Sequence, residues 1–292
     1  MKTLSSGWMN GLIGVIIFAG SLPATRVAVM DFSPTFLTAA RAAIAGLLGL
    51  ALILLSRQQL PTRKDWLPLF YVAIGVVVGF PLFTALALQY VSAAHTIVFV
   101  GLLPLATAIF GVLRGGERPN SVFWLFAVLG ASLVFGYMLV QTGSWAFNYG
   151  DIFMLLAIIF CGFGYAEGGK LSKHLGGWQV ICWALIITLP IMLLISYLYM
   201  PVSFAQISTS AKLGLAYVSL FSMLIGFFFW YKGLAQGGIA TVGQLQLLQP
   251  IFGLAIAAVL LHEQVSPAMF GVTIAVIACV ACAKKFAQIK KL

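Results

Sequence analysis

The sequence predicts an all-α polytopic membrane protein, ten transmembrane helices forming two inverted five-helix repeats (residues 1–145 and 146–292) with both termini in the cytoplasm. Three observations predict it. The chain is 62% hydrophobic and only 8% charged over 292 residues, more apolar surface than a soluble core could hide. Ten segments meet or approach the ~20 apolar residues a helix needs to cross the hydrocarbon layer. One stretch is also echoed. Residues 87–120 read ALQYVSAAHTIVFVGLLPLATAIFGVLRGGERPN and residues 233–266 read GLAQGGIATVGQLQLLQPIFGLAIAAVLLHEQVS. An offset of 146 superposes Leu88 on Leu234, Ala94 on Ala240, Leu102 on Leu248, Pro104 on Pro250 and Glu117 on Glu263. The shared order of small-residue turn, apolar span, proline and glutamate carries more weight than the identities.

The segments fall at residues 8–29, 34–55, 66–88, 96–113, 121–140, 151–168, 178–199, 212–231, 242–261 and 267–283. Each is read as a helix because backbone groups left unpaired in lipid are too costly. The first imitates a signal peptide, with Lys2 before an apolar run, but the many later spans make it the first transmembrane helix. What remains makes short connectors and no soluble domain. The net charge of +10 reflects 16 Lys and Arg against 6 Asp and Glu, the basic residues, Arg41 apart, lying in or beside those connectors and in the C-terminal tail. It marks cytoplasmic loops rather than a nucleic-acid surface. With the N-terminus inside, one side collects thirteen Lys and Arg and the other only Arg26 and Lys212. Each half then has five spans, and an odd number enters the membrane upside down the second time. Inverted repeats of this kind recur in secondary transporters, with the substrate site near the midplane.

The segments around Arg41 (AARAAIAGLLGLALILL), at 87–120 and at 233–266 resemble the EamA-type transporters of the drug/metabolite transporter superfamily. Nearest in character are bacterial exporters of amino acids and related metabolites. The resemblance covers nearly the whole chain. It implies ten helices, a bacterial inner (plasma) membrane location, and a central cavity lined by the third, fourth, eighth and ninth spans with help from the first and sixth. The fifth and tenth would be peripheral.

Candidate substrate-binding residues are the polar and amphipathic groups inside the spans: Gln244, Gln246 and Gln249 before or beside Pro250, His95 ahead of Phe99, and the rings of Tyr165, Trp183 and Trp230. Amides facing lipid would be costly, which turns them toward protein or solute. Candidate hinges are Gly20 and Pro23 in the first span, Gly162 and Gly164 in the sixth, and Pro104 and Pro250, where a helical hydrogen bond is lost or the backbone loosened. Gly7 with Gly11 and Gly75 with Gly79 are read as close-packing pairs.

Three charged residues are given structural work. Arg41 is the sole Lys or Arg well inside a span and matches the arginine that the resemblance implies for this helix; it is expected to pair or snorkel, with direct contact to the solute as the alternative. Glu117 and Glu263 are expected to cap or pair at helix boundaries. The acids Asp31, Asp65, Asp151 and Glu167 sit at or near segment ends. With no carboxylate at the midplane, the expectation is an uncoupled facilitator. Cys161, Cys182, Cys279 and Cys282 lie in apolar segments and are read as packing residues, not metal ligands. GYAEGGKL at 164–171 lacks the Ser or Thr of a phosphate loop, and HEQVS at 262–266 lacks the second metalloprotease histidine, so no catalytic residue, cofactor or metal is expected. The expected protein exports small metabolites, most of all amino acids, and acts as a monomer in the lipid bilayer. The alternatives are a sugar- or phosphate-ester exchanger and an intramembrane enzyme.

Overall fold

Every described regular element is helical. The computed structural model describes residues 2–142, 148–262 and 266–286. We number the helices α1 (Ser6–Ala28), α2 (Pro34–Leu55), α3 (Trp66–Ala87), α4 (Ala93–Gly115), α5 (Ser121–Thr142), α6 (Tyr149–Leu171), α7 (Gly177–Leu198), α8 (Thr209–Gly237), α9 (Ile239–Leu261) and α10 (Pro267–Phe286). Among the described residues, eight of these are long and apolar enough to cross a membrane. Helices α5 and α10 contribute the shorter apolar stretches Ser121–Gly130 and Pro267–Cys279.

Local chemistry sets the boundaries. Ser33 accepts from the Phe36 N–H and Pro34 fills the first turn of α2, where its missing N–H has no helical partner to lose. Ser92, Asn148 and Ser208 cap α4, α6 and α8 in the same manner, Asn148 within a full capping box with Asp151. Gly116 (φ 70°) and His262 (φ 51°) end α4 and α9 in the left-handed conformation, releasing the chain from the helix.

Several helices carry internal irregularities, and these come in pairs. A π-helical stretch runs over Ala73–Gly79 in α3 and over Val218–Ile225 in α8, 145 positions on. In α4 the helix breaks between Val100 and Leu103; in α9 a 3₁₀ turn occupies Gln244–Leu247. Helix α1 breaks at Gly20, between Lys2–Ala19 and Ser21–Ala28, whereas α6 runs unbroken.

Packing pairs α1 with α8, α3 with α6, α2 with α7 and α5 with α10, and sets α4 against α6 and α9 against α1. Small residues permit the closest approaches. A Cβ on Gly233 would stand 2.7 Å from the Gly11 backbone nitrogen, and one on Gly75 would stand 2.7 Å from the Gly164 Cα. Such backbone contact is what associates helices where no hydrophobic drive exists between them.

Contacts between connectors sort the helix ends onto two faces. On one face Asn10 donates to Gln236 (3.1 Å), Gln179 to Gln58 (2.8 Å), and His174 pairs with Asp65 (2.9 Å). On the other, Ser208 donates its N–H and hydroxyl to Asp31 (2.8 and 2.5 Å), and Arg26 donates to the Leu88 carbonyl.

Candidate functional site

The middle of the bundle is built around the broken segment of α1. Its carbonyls just before the break are taken by neighbouring side chains: the Tyr217 hydroxyl of α8 donates to Ile17 O (2.7 Å) and the Gln249 amide of α9 donates to Phe18 O (3.3 Å). On the far side of the break Ser21 shares a 2.8 Å hydrogen bond with Ser222 of α8. Three helices thus converge on one irregular turn.

Gln244 and Gln246 come to this place on the 3₁₀ turn of α9, and Gln249 on the α-helix that follows it. The turn is tighter than α, and Gln246 and Gln249, three residues apart, lie on the same side of α9. All three are buried, and Gln244 Oε1, Gln249 Oε1 and both amide atoms of Gln246 have no hydrogen-bond partner. Unmet buried polar atoms are rare and costly. Facing them is an aromatic wall. Phe18, Tyr165 and Trp230 lie within 6.4 Å of one another by ring centroid, with Phe227 5.1 Å from Phe18. The Tyr165 hydroxyl has the Cys161 thiol and the Gln246 amide as polar neighbours. Trp230 Nε1 is buried and unpartnered, as is Thr107 Oγ1 on α4. Thr107 faces Gly243, where a Cβ would come within 3.4 Å of it.

The structure therefore gathers Gln244, Gln246, Gln249, Tyr165 and Trp230 into one region. Trp183 lies elsewhere, in T-shaped contact with Trp66 at 6.2 Å. His95 is at the start of α4, its Nε2 2.7 Å from the buried Asp151 carboxylate of α6. Pro104 and Pro250 each stand in the first turn after their helix's irregularity, and Pro23 in the first turn after Gly20. Gly162 and Gly164 mark no break: they let α6 pack on α4 and α3, a Cβ on Gly162 meeting Ala106 at 2.8 Å and one on Gly164 meeting Val76 at 2.6 Å.

The charged residues depart further from expectation. Glu117 does not serve the helix that follows it; Asn120 does, accepting from the Val122 N–H. Glu117 instead crosses to α9, accepting from the Ile239 and Ala240 N–H groups at 3.0 and 2.8 Å. Those two donors are exposed by Gly238 (φ 90°), and a carboxylate there also meets the positive end of the helix. Glu263 lies outside the described residues. Glu167 is a fully buried side chain paired with Arg114 of α4, which also lies 5.5 Å over the Tyr71 ring. Arg41 is 2% exposed, so it does not snorkel; its Nη2 donates to Ser222 Oγ at 3.1 Å and its Nε has no partner. Sequence reasoning missed Ser21, Ser222 and Thr107, because single hydroxyls in apolar runs form no pattern.

An apolar groove of about 650 Å³ runs beside the α1 break, lined by Pro23, Val27, Tyr217, Leu220, Ile256 and Leu260 among others. Among the described residues no cluster of His, Cys, Asp and Glu could hold a metal ion.

Comparison with known proteins decides the class. The EamA-like transporter family matches the chain twice, over residues 5–139 and 148–283. The chain belongs to that family. This EamA-like protein, a multi-pass transporter of the drug/metabolite transporter superfamily, is 62% identical over 288 residues to the uncharacterized transporter YdeK of Bacillus subtilis, covering 99% of this chain and all of that one. It is 21% identical to the uncharacterized transporter YoaV of the same organism, over 88% and 90% of the two chains. It also shares 24% identity with the WAT1-related protein At3g02690 of Arabidopsis thaliana, over 87% of this chain and 64% of that one. A crystal structure of another protein superposes with a TM-score of 0.72 at 19% identity, over 95% of this chain and 98% of that one, and shares the fold.

Proposed function

We propose that the chain is a secondary transporter exporting small metabolites, amino acids first among them, by alternating access between two inverted five-helix repeats (1–145 and 146–292). One observation carries the reading. The described glutamines in the middle of a span, Gln244 and Gln246 on the 3₁₀ turn and Gln249 on the α-helix just after it, leave four buried amide atoms unpartnered, against the wall of Phe18, Tyr165 and Trp230. Amide oxygens accept from an ammonium group, amide nitrogens donate to a carboxylate, and the rings receive an apolar side chain. A small zwitterion satisfies all three.

The paired irregularities of α3 with α8 and α4 with α9 support the repeat, as does the double family match. Ten spans with cytoplasmic termini follow if α5 and α10 also cross. The face holding Asp65 and Glu117 is then cytoplasmic, because the connectors there carry Arg57, Arg63, Lys64, Arg118, Lys170 and Lys173 against Arg26 and Lys212 opposite. Asp151 and Glu167, the buried carboxylates of α6, are each paired with α4 near a helix end, which supports transport without ion coupling. A phosphate-ester substrate asks for several buried cations, and Arg41 stands alone in the described core.

Counterflow in proteoliposomes with radiolabelled neutral amino acids tests the reading. Saturable exchange is expected, and an imposed proton gradient without a solute gradient should drive no accumulation. Absence of saturable exchange with every amino acid would refute the substrate class, and proton-driven accumulation would refute the lack of coupling.

A further inference from the structure

The described part of the chain buries one cation without an anion. Arg41 occupies the eighth position of α2, roughly 10 Å from the helix start at 1.5 Å per residue, and only 2% of it is exposed. The three ion pairs among the described residues involve other groups. Of five N–H donors, one is recorded in a hydrogen bond, to the hydroxyl of Ser222, and Nε points at no acceptor. One turn before it, the Thr38 hydroxyl is buried and unpartnered too. A structural arginine in a membrane interior is paired or reaches for the interface, and Arg41 does neither.

Its position links it to the glutamines. Ser222, which accepts from Arg41, also bonds Ser21 just after the α1 break, while Gln249 bonds the Phe18 carbonyl just before it. Cation and amides are therefore both tied, directly or through Ser222, to the same irregular turn. A guanidinium fork matches a carboxylate in shape and charge, offering two parallel donors.

We infer that Arg41 is the carboxylate-recognising residue of the transport site: the solute carries a carboxylate that docks on the Arg41 guanidinium beside Ser21 and Ser222, its other polar end turned to Gln246 and Gln249. This rests on the transport reading above and deepens it. The solute class becomes monocarboxylates of amino-acid size, and Arg41 sets specificity rather than stability.

The test uses the full-length protein in proteoliposomes, with counterflow of three probe sets: neutral L-amino acids, the corresponding carboxamides, and amino-free monocarboxylates of the same size. Wild type should exchange the acids and reject the carboxamides. Arg41→Gln should raise KM for the acids at least about tenfold, roughly 1.4 kcal/mol, and lose discrimination against the carboxamides, while Arg41→Lys restores part of it. Equal exchange of acids and carboxamides by wild type overturns the inference and leaves amino-acid transport standing, even if Arg41→Gln does not fold. An unchanged KM in folded Arg41→Gln overturns it as well. If amino acids fail but amino-free monocarboxylates exchange in an Arg41-dependent way, the amino-acid reading falls and the carboxylate site stands. If neither set exchanges, both fall.

Discussion

Two seams in the bundle share an architecture and differ in chemistry. Helix α4 lies against α6, and α9 lies against α1; both α4 and α9 are interrupted in the middle, carry a proline in the turn that follows, and end in a left-handed residue. The first seam is fastened by ion pairs at both ends, His95 with Asp151 and Arg114 with Glu167. The second has the single Gln249 bond to Phe18 and a close approach of Gly253 to the Ala19 carbonyl. The positions 146 residues from Arg114 and Glu167 are Leu260 and Ser21, an aliphatic and a hydroxyl. An architecture can thus be repeated while its fastenings are not. The first seam is held by charge, and the second, which bears the unpartnered glutamines, is not.

The largest effect should come from breaking the strong seam. Arg114→Ala leaves Glu167 buried and unpaired, and should lower stability by about 3 kcal/mol, the low end for a buried pair because Arg114 is itself 40% exposed. Arg114→Ala with Glu167→Leu should recover most of that loss, since no charge is then stranded. Thermal unfolding in detergent measures both; a single variant within about 1 kcal/mol of wild type would mean that the pair does not fasten the seam.

Next in size is the tie from α4 to the other seam. Glu117→Ala removes two charge-assisted hydrogen bonds from the start of α9 and should cost about 2 kcal/mol. Because it frees that end of α9, alkylation of a cysteine placed at the half-buried Thr241 should quicken in the variant. Unchanged labelling would count against the tie.

The prolines sharpen the comparison further. Pro250→Ala restores a backbone donor in the seam without ion pairs and should slow counterflow about fivefold, the rate equivalent of one hydrogen bond. Pro104→Ala, in the fastened seam, should slow it less. Equal rates for the two variants would erase the distinction.

The smallest effect lies outside both seams. The Ser208 hydroxyl and backbone N–H hold the exposed Asp31 carboxyl below the usual carboxylate range. A depressed carboxylate contributes above its unfolded value near 4 and loses that contribution as the pH falls through its folded value. Hydrogen exchange at the Ser208 amide should therefore accelerate on acidification below about pH 4, beyond its intrinsic pH dependence. In Asp31→Asn it should follow the intrinsic dependence alone.

Much of this frame was legible in the sequence because hydropathy is local. Residues 34–55 read as a span and form α2 over that same range, and the segment at 66–88 misses the end of α3 by one residue. The 212–231 segment undershoots α8, whose polar first and last turns fall below any apolar threshold. The site was half legible: glutamines in an apolar run announce themselves, and so does a lone arginine. Their partners do not. Glu117 looked like a local cap because nothing in its neighbourhood points to a helix start 122 residues away. Glu167 looked like a residue at a solvated end, since only the fold shows that Arg114 covers it. Trp183 and Tyr165 are alike as letters, and only packing sends one to Trp66 and the other to the glutamines.

Helix α8 spans 29 residues, about 43 Å at 1.5 Å per residue, against a hydrocarbon layer of about 30 Å. Its polar first and last turns therefore stand in the headgroup regions, and the apolar middle at 212–231 matches the layer. Because α8 carries Tyr217, Ser222 and Trp230 to the α1 break, the polar turns that anchor its two ends also fix the depth at which those side chains lie in the membrane. The ends of one helix thereby hold three of the side chains around the site, each at its own level.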